Sequence, residues 1–221
     1  RAAQQCEYLV AQLDTNRTPR SFNGEKLITA KAHWWCSGFF PGTLWMVYEY
    51  TGDETLRALA ELETAKVEPI KFVTNDHDVG FQINCSFGHQ YRLTGDVHAR
   101  EVMHTAAHSL ATRFNPTIGC IRSWDFQLRG SSWQFPVIID NMMNLELMFE
   151  AFKLSGDSTL YNIAVDHANT TLANHFREDN SCYHVIDYSL ADGSVRNKHT
   201  AQGYAHESSW ARGQAWAIYG F

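Results

Sequence analysis

Eight residues, "TNDHDVGF" (Thr74 to Phe81), place two carboxylates around an imidazole before the chain turns apolar. Asp76, His77 and Asp78 are the residue types of an acid–base site or of a divalent-ion site. Asp78 is also the type that starts a helix. A further carboxylate, Asp140, follows the apolar run "PVII" and precedes Asn141 and Asn144, an unusually polar face for an apolar helix. Asp78 and Asp140 both fall where a helical pattern begins. As N-caps, each would contribute ~1 kcal/mol. As a pair facing one pocket, they would supply a general acid and base. The two readings conflict electrostatically. A helix N-terminus lowers a carboxyl pKa, whereas a general acid needs it raised, by burial or by a second carboxylate.

Aromatic residues gather near the same points: Trp34, Trp35, Phe39 and Phe40; Trp124 and Phe126; Trp133 and Phe135; Trp210 and Trp216. Aromatic faces beside carboxylates and amides suit sugar rings, which have apolar C–H faces and hydroxyl rims. A large helical core uses the same residues. Arg212, within "SSWARGQAW", is either a surface charge or a clamp for an anion, since a guanidinium binds carboxylates bidentately. Metal readings are weaker. His104 and His108 have an i, i+4 spacing, but "HTAAH" lacks the central Glu of H-E-x-x-H. The Asp76–Asp78 triplet has no compact third ligand set. G-x-S-x-G, P-loop and G-x-G-x-x-G motifs are absent from the sequence.

The elements that must position these residues follow from a repeat. "EYTGDETL" (Glu49–Leu56), "RLTGDVHA" (Arg92–Ala99) and "KLSGDSTL" (Lys153–Leu160) share a Thr/Ser-Gly-Asp core between two apolar periodic runs. Gly ends one helix in the left-handed conformation, and Asp caps the next. Each unit is therefore a tight turn of a helical hairpin. Periodicity predicts eight helices, at 1–14, 40–50, 53–67, 79–93, 97–114, 138–154, 158–175 and from 209 onward. Alternation and an Asp192-Gly193 turn predict a small β-hairpin near 182–199. The expected fold is all-α: an (α/α)6 barrel of helical hairpins, here an incomplete portion. Residues 1–221 would be a single catalytic domain truncated at the C-terminus, with sites gathered where the N-termini of the inner helices converge.

Composition narrows the partners. With 18 Lys and Arg against 24 Asp and Glu, the net charge is −6 and basic residues form no run. Nucleic acid and anionic membrane are not expected partners. Apolar stretches stay below the ~20 residues of a membrane span. Five cysteines without C-x-x-C predict buried, inert thiols. No signal peptide is read at the start, where a native N-terminus is expected to be missing. Compartment, whether bacterial cytoplasm or periplasm, and oligomeric state stay open.

Six segments, taken in order, resemble the unsaturated glucuronyl hydrolases of glycoside hydrolase family 88. They are "WCSGFFPGTLW", "HDVGF", "CSFGHQYRLTGD", "IRSWDF", "PVIIDNMMNLELMFEA" and "SSWARGQAWAIYGF". The resemblance implies action on the 4,5-unsaturated uronic acid at the non-reducing end of lyase-generated oligosaccharides. It implies no cofactor and no metal. Asp140 would protonate C4 and activate the water that adds at C5, with Asp78 as its partner. His77, Trp35 and Trp124 would line the sugar pocket. His184 and Gln202 would lie near the water and the glycosidic side, and Arg212 and Trp216 around the sugar. Ala205-His206-Glu207 departs from the pattern, where Asp and Asn are expected. The choice among glycosaminoglycan, gellan and xanthan fragments would lie beyond Phe221. An unsaturated rhamnogalacturonyl hydrolase and an inactive sugar-binding domain are the alternatives.

Overall fold

The computed structural model describes residues 1–127 and 131–221. The three Thr/Ser-Gly-Asp turns form as the sequence predicts. Gly52, Gly95 and Gly156 each adopt a left-handed backbone, with φ of 67°, 69° and 76°. Asp53, Asp96 and Asp157 then accept from the N–H two residues on, at 2.8, 2.8 and 2.9 Å. The Thr or Ser has its own task. Thr51, Thr94 and Ser155 donate back to the carbonyl four residues earlier and accept from the Asp N–H. Every member of the motif is thus used to end one helix and start another.

These turns join α2 (Phe39–Thr51) to α3 (Glu54–Ala65), α5 (His89–Thr94) to α6 (Val97–Ala111), and α7 (Leu145–Ser155) to α8 (Ser158–His175). The chain opens with α1 (Ala2–Val10), and α9 (Ala211–Gly220) comes last. A short α4 (Val79–Ile83) leads through a π turn at Asn84–Gly88 into α5. The predicted single helix over 79–93 is therefore interrupted. The predicted helix from 138 likewise begins as a 3-10 turn, Ile139–Asn144, before α7. Among the described residues, no helix is long and apolar enough to cross a membrane.

The chain packs as two compact units. The first comprises residues 1–73 and 81–106. Its core joins Cys6, Leu44, Trp45, Leu56 and Ala60. Trp45 Nε1 donates to Thr64 Oγ1 at 2.9 Å, which ties α2 to α3. The glycines of "GFFPG" have a packing reason: a Cβ on Gly38 would strike the Gln82 backbone, and one on Gly42 would lie 2.5 Å from Cys85 O. A hairpin of β1 (Thr18–Phe22) and β2 (Leu27–Ala30), absent from the sequence expectation, also lies in this unit.

The second unit comprises residues 74–80 and 107–221. It holds α7, α8, α9, the short pair β3 (Phe114–Asn115) and β4 (Cys120–Ile121), and a three-stranded antiparallel sheet. The predicted hairpin is real, as β6 (Val185–Tyr188) and β7 (Val195–His199), but it is not isolated. β5 (Phe135–Ile138) pairs with β6, from Phe135 opposite Tyr188 to Ile138 opposite Val185. Pro136 is tolerated because β5 is an edge strand. β5 and β6 are buried along their whole length. With Ile118 and Cys120 they make one core cluster.

The five cysteines are free. Burial pushes the Cys120 thiol up to about 12 and the Cys182 thiol to about 11, so both are inert at neutral pH.

Candidate active site

The second unit gathers the titratable residues, and Arg113 sets the frame. It follows α6, and its side chain is buried. It donates to Arg122 O, Thr74 O and Ser123 O at 2.9, 2.7 and 3.2 Å. It also forks onto the Asp125 carboxylate at 3.0 and 3.2 Å. The segment before Asp76 is thereby tied to the segment 122–125, and Asp76 bridges Trp124 in antiparallel fashion. Sequence reading passed over Arg113.

Asp76 Oδ1 accepts from the Asp78 N–H at 3.2 Å, which forms a turn. That turn drives His77 fully inside. His77 Nδ1 lies 3.3 Å from Asn144 Nδ2, and its Nε2 lies 3.2 Å from Asp78 Oδ1. Asn144 donates to Asn141 Oδ1, and Asn141 donates to Ile121 O, both at 2.8 Å. The polar face noted in the sequence is therefore a buried amide chain that ends on the histidine. Asp140 stands one residue inside the 3-10 turn, whose cap position is Ile138 and carries no side-chain capping bond. The capping reading of Asp140 is not realised.

Asp140 Oδ1 is buried and 3.5 Å from Nε2 of His184, at the start of β6. The sheet fixes this approach, because the Ile139 N–H donates to His184 O at 3.0 Å. The His184 ring packs 4.5 Å from Trp210 and edge-on to Trp124 at 6.0 Å. The side chains of Asp78 and Asp140 stay 17% and 14% exposed, while both histidine rings are closed off. The two aspartate side chains are therefore partly open to solvent, whereas the histidine rings are not.

The electrostatics follow from this packing. Burial holds the Asp78 carboxyl well above the usual range, and repulsion from Asp76 and Asp140 adds to it, against the pull of Arg113. Burial likewise lowers His77, opposed by Asp76 and Asp140. The cluster thus retains a proton, centred on Asp78, to higher pH than an isolated aspartate would. The conflict posed by the sequence is decided for Asp78: burial and like charge outweigh any helix-end effect.

Around this centre, Arg212 donates to Gln202 Oε1 at 2.7 Å and lies 4.5 Å over the Trp210 ring. Trp216, half-buried, follows one turn later on α9. Trp124 and Trp133 stack at 5.4 Å, and Trp133 Nε1 donates to His199 Nε2 at 2.7 Å. Trp35 belongs to the first unit, edge-on to Phe39 at 6.0 Å. Asp76, His77 and Asp78 bring one possible ligand atom each within 4.8 Å of one another. His104 and His108 do not form such a group. His108 instead lies 3.6 Å from Asp157.

The fold is mainly helical hairpins, and the acidic side chains of Asp78 and Asp140 stay partly exposed in a unit rich in indole rings. The sequence model of Glycosyl Hydrolase Family 88 matches residues 9–221, and the chain belongs to this family. It is 51% identical over 188 residues to an unsaturated glucuronyl hydrolase of Formosa agariphila, covering 85% of this chain and 46% of that protein. It is 35% identical over 206 residues to an unsaturated chondroitin disaccharide hydrolase of Streptococcus agalactiae, covering 92% and 51%. Among solved structures, an unsaturated glucuronyl hydrolase specific for heparin superposes with a TM-score of 0.94 at 44% identity, over 99% of this chain and 58% of that one. The fold is thus of the family's (α/α)6 type. The chain spans about half the length of the curated relatives it matches.

Proposed function

We propose that the protein removes the 4,5-unsaturated uronic acid from the non-reducing end of lyase-generated, glycosaminoglycan-type oligosaccharides. Residues 1–221 would form part of a single catalytic domain. One observation carries this reading: Asp78 and Asp140 stay partly exposed, each beside a closed-off histidine, and burial holds the Asp78 carboxyl well above the usual range. The relatives' names support the substrate class, as does a Streptococcus agalactiae homologue solved with dGlcA-GalNAc6S at 30% identity and a TM-score of 0.74.

The chemistry is addition to a vinyl ether rather than displacement at the anomeric carbon by two carboxylates. Asp140 gives its proton to C4, and positive charge develops at C5. Water adds at C5 as it loses a proton to the Asp140 carboxylate, which restores the acid. The hemiketal formed opens and releases the remaining saccharide. In the free protein the retained proton is centred on Asp78. Sugar hydroxyls that donate to Asp78 favour its ionised form, and Asp140 is the acid of this scheme. His77, Trp124, His184 and Gln202 shape the pocket in this scheme. Arg212 and Trp216 contact the sugar, and Arg212 suits the uronate carboxylate.

The test follows the ultraviolet absorbance of the C4–C5 double bond in unsaturated chondroitin, hyaluronan and heparin disaccharides, beside Asp140→Asn. Loss of absorbance that vanishes in the variant supports the scheme. Sugar binding without any loss would leave an inactive binding domain, and turnover only of unsaturated rhamnogalacturonan fragments would move the substrate class.

A further inference from the structure

Each carboxylate of the pair faces one histidine, and each histidine is engaged on its far nitrogen. His184 Nδ1 lies 3.1 Å from the backbone nitrogen of Ala201 and 3.4 Å from that of Gln202. Backbone amides only donate, so Nδ1 is the bare nitrogen and the ring proton sits on Nε2. That Nε2 is buried 3.5 Å from Asp140 Oδ1, and neither atom has a hydrogen-bond partner among the described residues. His77 repeats the arrangement with a side chain in place of the backbone. The bond from Asn141 Nδ2 to Ile121 O orients that amide and turns its Oδ1 toward Asn144. The Asn144 group that meets this Oδ1 at 2.8 Å must be its NH2. The same NH2 lies 3.3 Å from His77 Nδ1. It cannot accept, so His77 Nδ1 is bare too, and the proton is on Nε2, which lies 3.2 Å from Asp78 Oδ1 and has no hydrogen-bond partner among the described residues.

We infer that Asn144 and the Ala201–Gln202 backbone amides are positioning groups that hold His77 and His184 in one tautomer, each presenting a fixed Nε2–H to its own aspartate. The inference rests on the reading of Asp140 and Asp78 as the acid–base pair. Its consequence is directional. Once either contact closes to a hydrogen bond, the oxygen that takes the N–H is an acceptor, and a proton on that carboxyl sits on the other oxygen. For Asp140 the oxygen facing His184 is buried while the side chain stays 14% exposed. The transferable proton is therefore held on the side open to the sugar. Neither ring competes for it, because each neutral Nε2 already carries hydrogen.

Imidazole ¹⁵N resonances of the whole protein test this without reference to turnover. Both His77 and His184 are expected to carry hydrogen on Nε2 and to leave Nδ1 bare. A proton on Nδ1 of either ring, as would follow if His77 donated to Asn141, overturns the inference. Asn144→Asp keeps the shape but exchanges a donor for an acceptor. His77 is then expected to take up Nδ1–H while His184 keeps its tautomer. kcat should fall roughly 10²-fold, with KM within about threefold. A variant whose His77 changes tautomer but whose kcat is unchanged also overturns the inference. Should Asn144→Asp fold poorly, Asn144→Ala is read in the same way, with mixed His77 tautomers expected. A wild type that turns over no unsaturated uronide but shows both Nε2–H tautomers would sink the proposed function and leave the hydrogen-bond assignment standing.

Discussion

Gly80 lies so close to Asn144 that a Cβ at position 80 would sit 2.6 Å from Asn144 Cα. The glycine of "HDVG" is therefore a spacer for the amide that supports His77. Gly80→Ala must push the 3-10 turn away or shift the start of α4. It is expected to cost about 1–3 kcal/mol, as overpacking does, and to lower kcat beyond what stability explains. Gly52→Ala is the control. Its left-handed φ of 67° predicts a loss of roughly 1 kcal/mol, with kcat unchanged. Urea melts and steady-state kinetics on the two variants separate these effects.

Asp78 gives a pH-dependent stability of definite sign. Its folded pKa is raised above the unfolded value, so the folded state loses stability as pH climbs from the unfolded pKa through the folded one. Below the unfolded pKa the carboxyl is protonated in both states and costs nothing. Asp78→Asn is thus expected to stabilise the protein at pH 7 and not near pH 3. It is also expected to reduce turnover by at least roughly 10²-fold. Denaturant midpoints at the two pH values check the sign.

Arg113 holds four separate groups with its five N–H bonds while buried. Arg113→Met leaves three carbonyls without their donor and is expected to cost about 3 kcal/mol. It also removes the one charge that opposes the rise at Asp78. In a variant still folded, the limb of the pH–rate profile belonging to the pair should move to higher pH.

Arg212 is exposed, donates to Gln202 and lies over the Trp210 ring, so its loss should spare the fold. Arg212→Ala is expected to raise KM about tenfold or more for uronates, with kcat less affected. Arg212→Lys keeps the charge but loses the fork, and should rescue only in part. Initial-rate kinetics on a disaccharide substrate decide this.

How much of this was legible in the sequence depended on range. The hairpin turns were readable because Thr51, Gly52 and Asp53 act within one another's reach. The pairing of β5 with β6 was not. "FPVI" shows no alternation because both its faces are buried, Pro136 argues against a strand, and the partner lies about fifty residues away. In the site, Asp140 beside Asn141 and Asn144 stood out as polar residues on an apolar run. Arg113 did not, since its partners Thr74, Arg122 and Asp125 come together only in three dimensions. The sequence also left open which effect sets the Asp78 pKa, because burial is a tertiary property.

The most direct test of the central claim is product analysis after turnover in deuterated, ¹⁸O-enriched water. Hydration of the double bond predicts one solvent deuterium at C4, and ¹⁸O at C5 of the released uronate rather than at the anomeric carbon. Both labels should fail to appear with Asp140→Asn. Oxygen-18 at the anomeric carbon, with the double bond intact, would contradict the account and return the pair Asp78 and Asp140 to ordinary glycoside hydrolysis.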